Sequence, residues 1–380
     1  MKYLILRCED VARAGEQTAA LFQGAKVSYL QHLAQGGAAG VVRDRDPRRA
    51  IDRFHFHRAM FGLLPGDAEA APGQCYAAGA EIPVEAGATA WCCELVTHQD
   101  GRIIDATAGN IPTKESEVLI GALNDRLGSD RRRWGVGRGA HHVFLVRESL
   151  LDIDSGQLLR SPHLLVGQAW RRHLPKGAAG ESLRALIQEA SKVLEGHPVN
   201  RVRVDLGENP ANMLWCWGGV QGGPQRTVSA RSGLSGAVVS NSFSVKGLAR
   251  CLGLEWRDGP ATLSESALQR LAKTVAELLA ARDVVYVHLS IDASDPVDRL
   301  CVMERIDQVL LKPLTERLPA RGPWRLLAAV DDRVTGSIPF VAIGSGLPQH
   351  PAAHLTAQDF AESRLVFQDG AGLFAWLTAA

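Results

Sequence analysis

Two hydrophobic periods alternate along this chain, and together they predict an α/β protein. Short apolar, β-branched runs such as Lys2–Arg7 and Val284–Leu289 indicate buried strands. Longer stretches with apolar positions three and four residues apart, such as Glu265–Ala281, predict helices. Further strands are predicted at Trp324–Val330 and Pro339–Ile343. Because strands and helices alternate, the pattern favours a mostly parallel sheet covered by helices.

The alternation of predicted strands and helices changes between residues 88 and 175. This region shows a β-β-α-β order, with elements predicted at Trp91–His98, Arg102–Asp105, Thr113–Leu127 and Ala140–Val146. The order predicts a small α+β domain (88–175) inserted into a larger core domain (1–87 and 176–380). Just before the insert, Pro65–Gly87 is rich in Ala, Gly and Pro and is predicted to be irregular.

Composition narrows the classes of function. The chain has 380 residues, 46% of them hydrophobic, and a net charge of +1. That is enough for a large core, and the balanced charge argues against a nucleic-acid partner. No stretch approaches ~20 uncharged apolar residues, so we expect no membrane span and a cytoplasmic protein. Seven cysteines form no Cys-x-x-Cys pair, which speaks against a zinc knuckle or a thioredoxin-type site.

Acidic side chains follow two predicted strands, at the edge of the sheet where α/β proteins place functional loops. They are Asp292, Asp295, Asp298, Asp331 and Asp332. Such a set could bind one hard cation such as magnesium, or it could cap loops and a helix N-terminus. His55, His57 and Cys8 are candidates for acid/base or nucleophilic roles. The alternative is two ordinary helix-surface histidines and one inert, buried thiol.

Several stretches resemble one family. They are His197–Arg203, Gly207–Gly218, Val245–Arg250, the helix start at Asp298 and Ile338–Gly344. These segments are similar to the archaeal-type cofactor-independent phosphoglycerate mutases of the alkaline phosphatase superfamily. The segment that holds Asn209, Asn212 and Trp217 is fairly specific for this family, and the other segments, including the one with Asn200 and Arg203, are moderately so. From the residue types, we expect the two loop asparagines, Asn209 and Asn212, to bond loop backbone.

The resemblance implies an alkaline-phosphatase-like fold: a mixed, mostly parallel sheet sandwiched by helices, with an inserted α+β cap domain. It also implies phosphoryl transfer with two divalent ions, usually manganese or zinc, held by aspartates and histidines. A serine would accept the phosphoryl group, and the ions would lower its pKa.

The chain differs from the implied catalytic site at the first metal ligand and at the nucleophile. Where the family has an aspartate at the end of the first strand, this chain has Cys8 or Arg7. Glu9 or Asp10 would substitute only if the loop shifted. In the nucleophile motif, Ile51 occupies the place of the serine, followed by Asp52, and an isoleucine cannot accept a phosphoryl group.

The other metal-binding motifs and the phosphate clamp also differ from those of the family. Aligned on Asp298, the loop that should hold two aspartates and a histidine holds Ile291, Asp295 and Asp298. The last metal-binding motif is reduced to Asp331-Asp332-Arg333. In the cap domain, the phosphate clamp appears as Asp105–Asn110, with both arginines gone.

Three hypotheses follow. The first is a non-catalytic relative that acts as a binding or scaffolding protein, with no metal or other cofactor. Its candidate partners are another protein, a second copy of the chain, or a small phosphorylated or carboxylated ligand. The second is a repurposed phosphoryl-transfer enzyme that binds Mg, Mn or Zn through Asp292, Asp295, Asp298 and Asp331. The third is a true 2,3-bisphosphoglycerate-independent phosphoglycerate mutase with shifted ligands.

Overall fold

The structure is a computed structural model that describes residues 1–11, 25–43, 53–64, 67, 69–147, 159–221, 226–291, 293, 295–330 and 337–379. The strands are β1 (Lys2–Glu9), β2 (Ala38–Val42), β3 (Thr89–Gln99), β4 (Arg102–Asp105), β5 (Arg132–Arg138), β6 (His141–Val146), β7 (Met213–Gln221), β8 (Gly236–Ser240), β9 (Glu255–Asp258), β10 (Val284–Ser290), β11 (Trp324–Val330), β12 (Ile338–Gly344) and β13 (Val366–Phe367). Within the part of the chain described, no helix is long and apolar enough to cross a membrane.

The α-helices follow the same chain order. They are α1 (Ser28–Gly36), α2 (Arg53–Ala59), α3 (Pro72–Gly79), α4 (Thr113–Leu127), α5 (Ala178–Glu195), α6 (Pro198–Asp205), α7 (Val228–Ser232), α8 (Phe243–Cys251), α9 (Glu265–Ala281), α10 (Pro296–Arg305), α11 (Lys312–Arg317), α12 (Ala357–Glu362) and α13 (Gly370–Thr378). Between α10 and α11, residues Ile306–Leu311 form a π-helical turn.

The chain divides into two compact units. The first unit comprises Met1–Gly66, Thr227–Ser242 and Gly253–Ala380. Its eight strands run in the order β13-β2-β12-β11-β1-β10-β8-β9. Only β12 runs antiparallel to its neighbours β11 and β2; the other pairs are parallel. The predicted mixed, mostly parallel sheet is confirmed.

Strand β1 lies at the centre of that sheet because it is apolar enough to be buried on both faces. It pairs with β10 on one side, with Tyr3 opposite Val284, and with β11 on the other. Side chains alternate between faces along a strand. Leu4, Leu6 and Cys8 accordingly pack into one hydrophobic core. The intervening positions of β1 therefore point to the opposite face.

Helix α1 has no side-chain cap of its own. Its backbone N–H groups at Tyr29 and Leu30 donate instead to the carboxylate of Asp307, over 3.0 Å and 2.7 Å. Asp307 is buried at the π-helical turn, and burial raises its pKa although these donors oppose the effect. A distant carboxylate thus satisfies the orphan donors that begin this helix.

The second unit comprises Asp67–Arg226 and Phe243–Leu252. Its antiparallel sheet has the order β4-β3-β6-β5, and β7 pairs with the free side of β3. The predicted insert 88–175 lies inside this unit, which has wider bounds. The reason is that β7 completes the sheet from residues beyond the predicted insert.

Helix α3 was missed, and the prediction that Pro65–Gly87 is irregular is wrong at Pro72–Gly79. This helix packs closely against α8: a Cβ added to Gly247 would lie 1.7 Å from the Cys75 carbonyl oxygen. The small residues that suggested a loop therefore serve a close helix contact.

Candidate functional site

The carboxyl ends of β1 and β10 carry the polar side chains that make the candidate site in the first unit. The two strands are parallel neighbours, with Arg7 opposite His288 and Glu9 opposite Ser290. Helix α2 contributes His57. We call Arg7, Glu9, His57 and His288 the Glu9 cluster; their exposed fractions are 0%, 6%, 3% and 5%.

The carboxylate of Glu9 is the centre of the Glu9 cluster. Arg7 Nε donates to Glu9 Oε1 over 3.0 Å, and His57 Nε2 lies 3.1 Å from the same oxygen. His288 Nε2 lies 3.2 Å from Glu9 Oε2. One carboxylate therefore faces a guanidinium and two imidazoles.

Hydroxyl groups hold the far side of both rings. The Tyr286 hydroxyl lies 2.6 Å from His57 Nδ1, and the Ser240 hydroxyl lies 2.7 Å from His288 Nδ1. Each ring is thereby fixed with its Nε2 directed at Glu9. Such support on the second ring nitrogen is what orients histidines in functional sites.

Charge in the Glu9 cluster is balanced internally. Burial by itself would raise the pKa of Glu9, but His57, His288, Arg53 and Arg7 outweigh it and hold the pKa well below its ordinary value. Burial lowers the pKa of His57 to about 4, against the opposing effect of Glu9. His57 is therefore neutral at pH 7, and Arg7 balances Glu9. The Arg7 guanidinium also stacks on Phe56, 4.2 Å from the ring centre.

Asp10 lies at the border of the Glu9 cluster and has its own partners. Arg53 donates to Asp10 over 2.9 Å, and the Ser290 hydroxyl donates over 2.8 Å. Asp10 adopts a positive φ of 62°, an unusual backbone conformation for a residue other than glycine.

The other predicted site residues of the first unit lie elsewhere. Cys8 is 2% exposed in the apolar core, on the opposite face of β1 from the Glu9 cluster, as expected for a buried thiol. His55 Nδ1 contacts the Arg58 guanidinium over 3.1 Å. Asp295 caps α10 by accepting from the Val297 N–H over 2.7 Å, and Asp298 is exposed in the first turn of that helix.

Part of the predicted acidic set cannot be placed. Ile51, Asp52, Asp292, Asp331 and Asp332 lie outside the described residues. The predicted convergence of the five aspartates therefore stays a prediction, and Asp295 follows the capping alternative.

Alternation along β1 explains what the sequence prediction missed. Glu9 enters the Glu9 cluster from its regular strand position, without the loop shift that had seemed necessary. His288, a polar residue inside an otherwise apolar run, was the available signal for the second imidazole.

The family-motif residues hold backbone in the second unit. Asn200 donates to the Leu194 and Ala211 carbonyls over 2.8 Å and 2.9 Å and accepts from the Ala211 N–H. Asn212 bonds both backbone groups of His98. Asn212 thus bonds backbone as expected, although His98 belongs to strand β3 and not to a loop.

The remaining motif residues make side-chain links as well. Arg203 donates to the Asn209 carbonyl over 2.9 Å and pairs with Glu115 over 2.6 Å. The Asn209 side chain donates to Asp105 over 3.0 Å, a side-chain contact in place of the expected backbone bond.

A second buried carboxylate, Glu94, lies in the second unit and was not predicted. Glu94 is fully buried; its Oε1 accepts from the Tyr76 hydroxyl over 2.7 Å and from Trp217 Nε1 over 3.3 Å. His141 Nδ1 lies 2.6 Å from Oε2. We call Tyr76, Glu94, His141 and Trp217 the Glu94 cluster. An acidic residue within the apolar strand Thr89–Gln99 was the signal available in the sequence.

The Glu94 cluster reaches solvent through one member. The His141 side chain is 32% exposed. Burial raises the pKa of Glu94, but His141, His163 and Tyr76 lower it more, so it lies below its ordinary value. Burial lowers the pKa of His141, and Glu94 outweighs it so that the pKa is raised.

The described residues do not fit the two-metal centre that the family resemblance implies. Among them, one group of three metal-ligating side chains has its donor atoms within 4.8 Å of one another: Glu9, His57 and His288. Two ions would need about twice as many donors. The carboxylate of this group is also already bonded to the Arg7 guanidinium.

Comparison with known proteins gives one consistent result. A family model described as 2,3-bisphosphoglycerate-independent phosphoglycerate mutase matches residues 34–200. The protein of that name from Methanosarcina acetivorans is 26% identical over 349 residues, which cover 88% of this chain and 86% of the relative. The probable 2,3-bisphosphoglycerate-independent phosphoglycerate mutase from Geobacter sulfurreducens is 25% identical and covers 97% of this chain and 98% of its own.

Solved structures show the same fold. A cofactor-independent phosphoglycerate mutase from Thermoplasma acidophilum superposes with a TM-score of 0.58 at 20% identity, covering 99% of this chain and 98% of its own. The PH0037 protein from Pyrococcus horikoshii gives a TM-score of 0.68 at 18% identity, covering 99% and 96%.

Proposed function

We propose that this chain, which is similar to the archaeal-type cofactor-independent phosphoglycerate mutases and shares their fold, acts as a non-catalytic binding or scaffolding protein. In this role it does not transfer phosphoryl groups between hydroxyls. Its candidate partners are another protein, a second copy of the chain, or a small phosphorylated or carboxylated ligand.

The Glu9 cluster carries this proposal. A metal-assisted phosphoryl transfer needs ligands that reach both the ions and the substrate. Glu9, His57 and His288 are each at most 6% exposed, and Glu9 is neutralised by Arg7 from within the protein. The site is therefore organised as a closed internal ion pair and not as an open coordination site.

Two sequence departures support the same role. An isoleucine stands at position 51, where the resemblance places the serine that becomes phosphorylated. At the phosphate clamp, Ala106 and Asn110 stand where arginines would bind the anion. Nucleophile, ions and clamp act together in such enzymes, so loss of one removes most of the rate.

A direct assay tests the proposal. The purified chain is incubated with 3-phosphoglycerate or 2-phosphoglycerate, with Mn²⁺, Zn²⁺ or Mg²⁺ added in turn. We expect no interconversion above the protein-free background, while a Methanosarcina relative assayed in parallel supplies the positive control. Metal-dependent turnover that scales with the concentration of this chain would refute the non-catalytic role.

A repurposed metal-dependent enzyme is the second candidate. It is favoured by one observation, the convergence of Glu9, His57 and His288 on a common point. It requires the wild-type chain to hold a divalent ion, which elemental analysis of protein loaded with metal would reveal. Asp295 does not support it, because this carboxylate serves as a helix cap.

A further inference from the structure

We propose that Arg7 takes the place of a metal ion in the Glu9 cluster. Under this proposal, Glu9, His57 and His288 form a latent site for one divalent transition-metal ion, which only the loss of the Arg7 charge would open. The inference concerns the same site as the proposed function and deepens it, since it names what keeps the ion out.

The geometry of the three donors suits a single ion. Two imidazole nitrogens lie 3.1 Å and 3.2 Å from the two oxygens of one carboxylate. Ligands of a tetrahedral ion with bonds of about 2.0–2.1 Å lie roughly 3.3 Å apart. A mixed nitrogen and oxygen set of this kind matches zinc or manganese better than magnesium.

Both rings are also supported as metal-binding histidines are. Hydroxyls of Tyr286 and Ser240 hold the Nδ1 atoms, so both Nε2 atoms face the carboxylate. His288 Nε2 is buried and has no hydrogen-bond partner among the described residues, although it lies 3.2 Å from Glu9 Oε2. Ligating histidines characteristically have their second nitrogen fixed in this way, while the first faces the ion.

Arg7 supplies the charge that the ion would otherwise bring. Its side chain is fully buried, and its Nε donates to Glu9 Oε1 over 3.0 Å. A guanidinium cannot lose its proton in a protein, so this charge is permanent. A divalent ion between the three donors would lie beside a fixed positive charge in a poorly solvated region, where like charges repel strongly. The Phe56 ring beneath Arg7 favours the guanidinium where it is.

The test compares the wild-type chain with Arg7→Met, a variant of similar side-chain length and no charge. Both proteins are stripped with chelator, titrated with Zn²⁺ and with Mn²⁺, and examined by elemental analysis and thermal unfolding. We expect no stoichiometric metal and no change of Tm in the wild type. Arg7→Met should bind about one ion at least ~100-fold more tightly and gain Tm on binding.

Two control variants test whether the metal binds at the Glu9 cluster. Arg7→Lys keeps a positive charge and should remain as poor a metal binder as the wild type. Arg7→Met combined with His288→Asn removes one donor and should lose the gained affinity by about 10-fold or more.

Every outcome decides the proposal. Stoichiometric Zn²⁺ in the wild type, or equal affinities in wild type and Arg7→Met, would overturn it. If Arg7→Met is unfolded without metal, Zn²⁺ should restore its folding, and failure to do so would also overturn it. Turnover of phosphoglycerate without metal would refute the proposed function alone, whereas stoichiometric metal in the wild type without turnover would refute this inference alone.

Discussion

Two buried carboxylates lie on two strands of this protein, and each faces a histidine. Both carboxyl groups have a lowered pKa, yet the pKa values of the two histidines shift in opposite directions. Glu9 is paired with a guanidinium that never loses its charge, and both neighbouring imidazoles are buried. Glu94 is paired with His141, which is about one-third exposed and whose pKa is raised by Glu94. The comparison teaches that the other neighbours of a buried acid decide whether the pKa of the histidine beside it is lowered or raised.

The difference shows in the direction of the two histidine pKa values. His57 is made neutral by burial, with a pKa of about 4. Burial acts in the same direction on His141, but there the negative charge of Glu94 prevails and the pKa is raised. Burial is the largest single effect on the pKa of both histidines. At His57 the positive charges of His288 and Arg7 add to it, whereas at His141 the effects besides burial come from Glu94.

The largest expected effect comes from Glu9→Ala. The substitution leaves the Arg7 guanidinium buried without its carboxylate, which should lower the free energy of unfolding by about 3–5 kcal/mol. Urea-induced unfolding and hydrogen exchange of the β1 and β10 amides would measure it. The double variant Arg7→Met with Glu9→Ala should be more stable than Glu9→Ala; equal stability would show that Arg7 is not the source of the cost.

A change of pH should alter the stability contributed by His57 and by His141 in opposite directions. The folded pKa of His57 lies below its unfolded value of about 6.5, so the unfolded chain takes up the proton first. The stability that neutral His57 contributes is therefore present above about pH 6.5 and is lost as the pH falls towards 4. The shift is worth about 3 kcal/mol.

His141 should act in the opposite sense. Its folded pKa is raised, so its contribution is fully present below about pH 6.5 and is lost as the pH rises through the folded value. NMR titration of the two rings and unfolding at each pH would check both directions. His57→Gln should flatten the acid side of the profile and His141→Gln the alkaline side. A His57 ring that titrates above pH 6 would contradict the expected burial effect.

A smaller effect is expected for Glu94→Ala, a loss of about 1–3 kcal/mol. The Tyr76 hydroxyl and the Trp217 N–H lose their acceptor, but His141 can release its proton to water. Hydrogen exchange of the β3 amides would report the loss. Glu94→Gln keeps an acceptor oxygen and should recover part of it. A cost as large as that of Glu9→Ala would mean that exposure of the partner does not matter.

The smallest effect should come from the aspartate loop. Asp295→Ala removes the N-cap of α10 and should cost about 1 kcal/mol, whereas Asp295→Asn should be nearly neutral because asparagine caps equally well. Thermal unfolding with and without Mg²⁺ would measure both. A magnesium-dependent gain in Tm that disappears in Asp295→Asn would assign the loop a cation instead.

The sequence predicted the elements better than the contacts between them. Strands such as β1 and β10 follow from their apolar β-branched runs, and the sheet class follows from their alternation with helices. The Glu9 cluster could not be predicted from the sequence. Arg7 lies opposite His288 because of the register between β1 and β10, which the hydrophobic pattern of either strand does not specify. His57 was a candidate, but its partner Glu9 is brought to it by the fold.

The Glu94 cluster shows a different limit. A charged residue inside an apolar strand can be noticed in the sequence, but His141 lies opposite Glu94 only because β3 and β6 pair antiparallel. Helix α3 was missed for a third reason, since its Gly and Ala residues predict a loop locally and serve a helix contact globally.

The position of β1 between β10 and β11 has a consequence for biosynthesis. Both hydrogen-bonding partners of this strand, Val284–Ser290 and Trp324–Val330, are translated long after it. At about 5–20 residues per second, the ribosome takes roughly 15–55 s to reach them. Throughout that interval the apolar segment Lys2–Glu9 stays without its neighbours, which makes it a segment for chaperones to shield in the nascent protein.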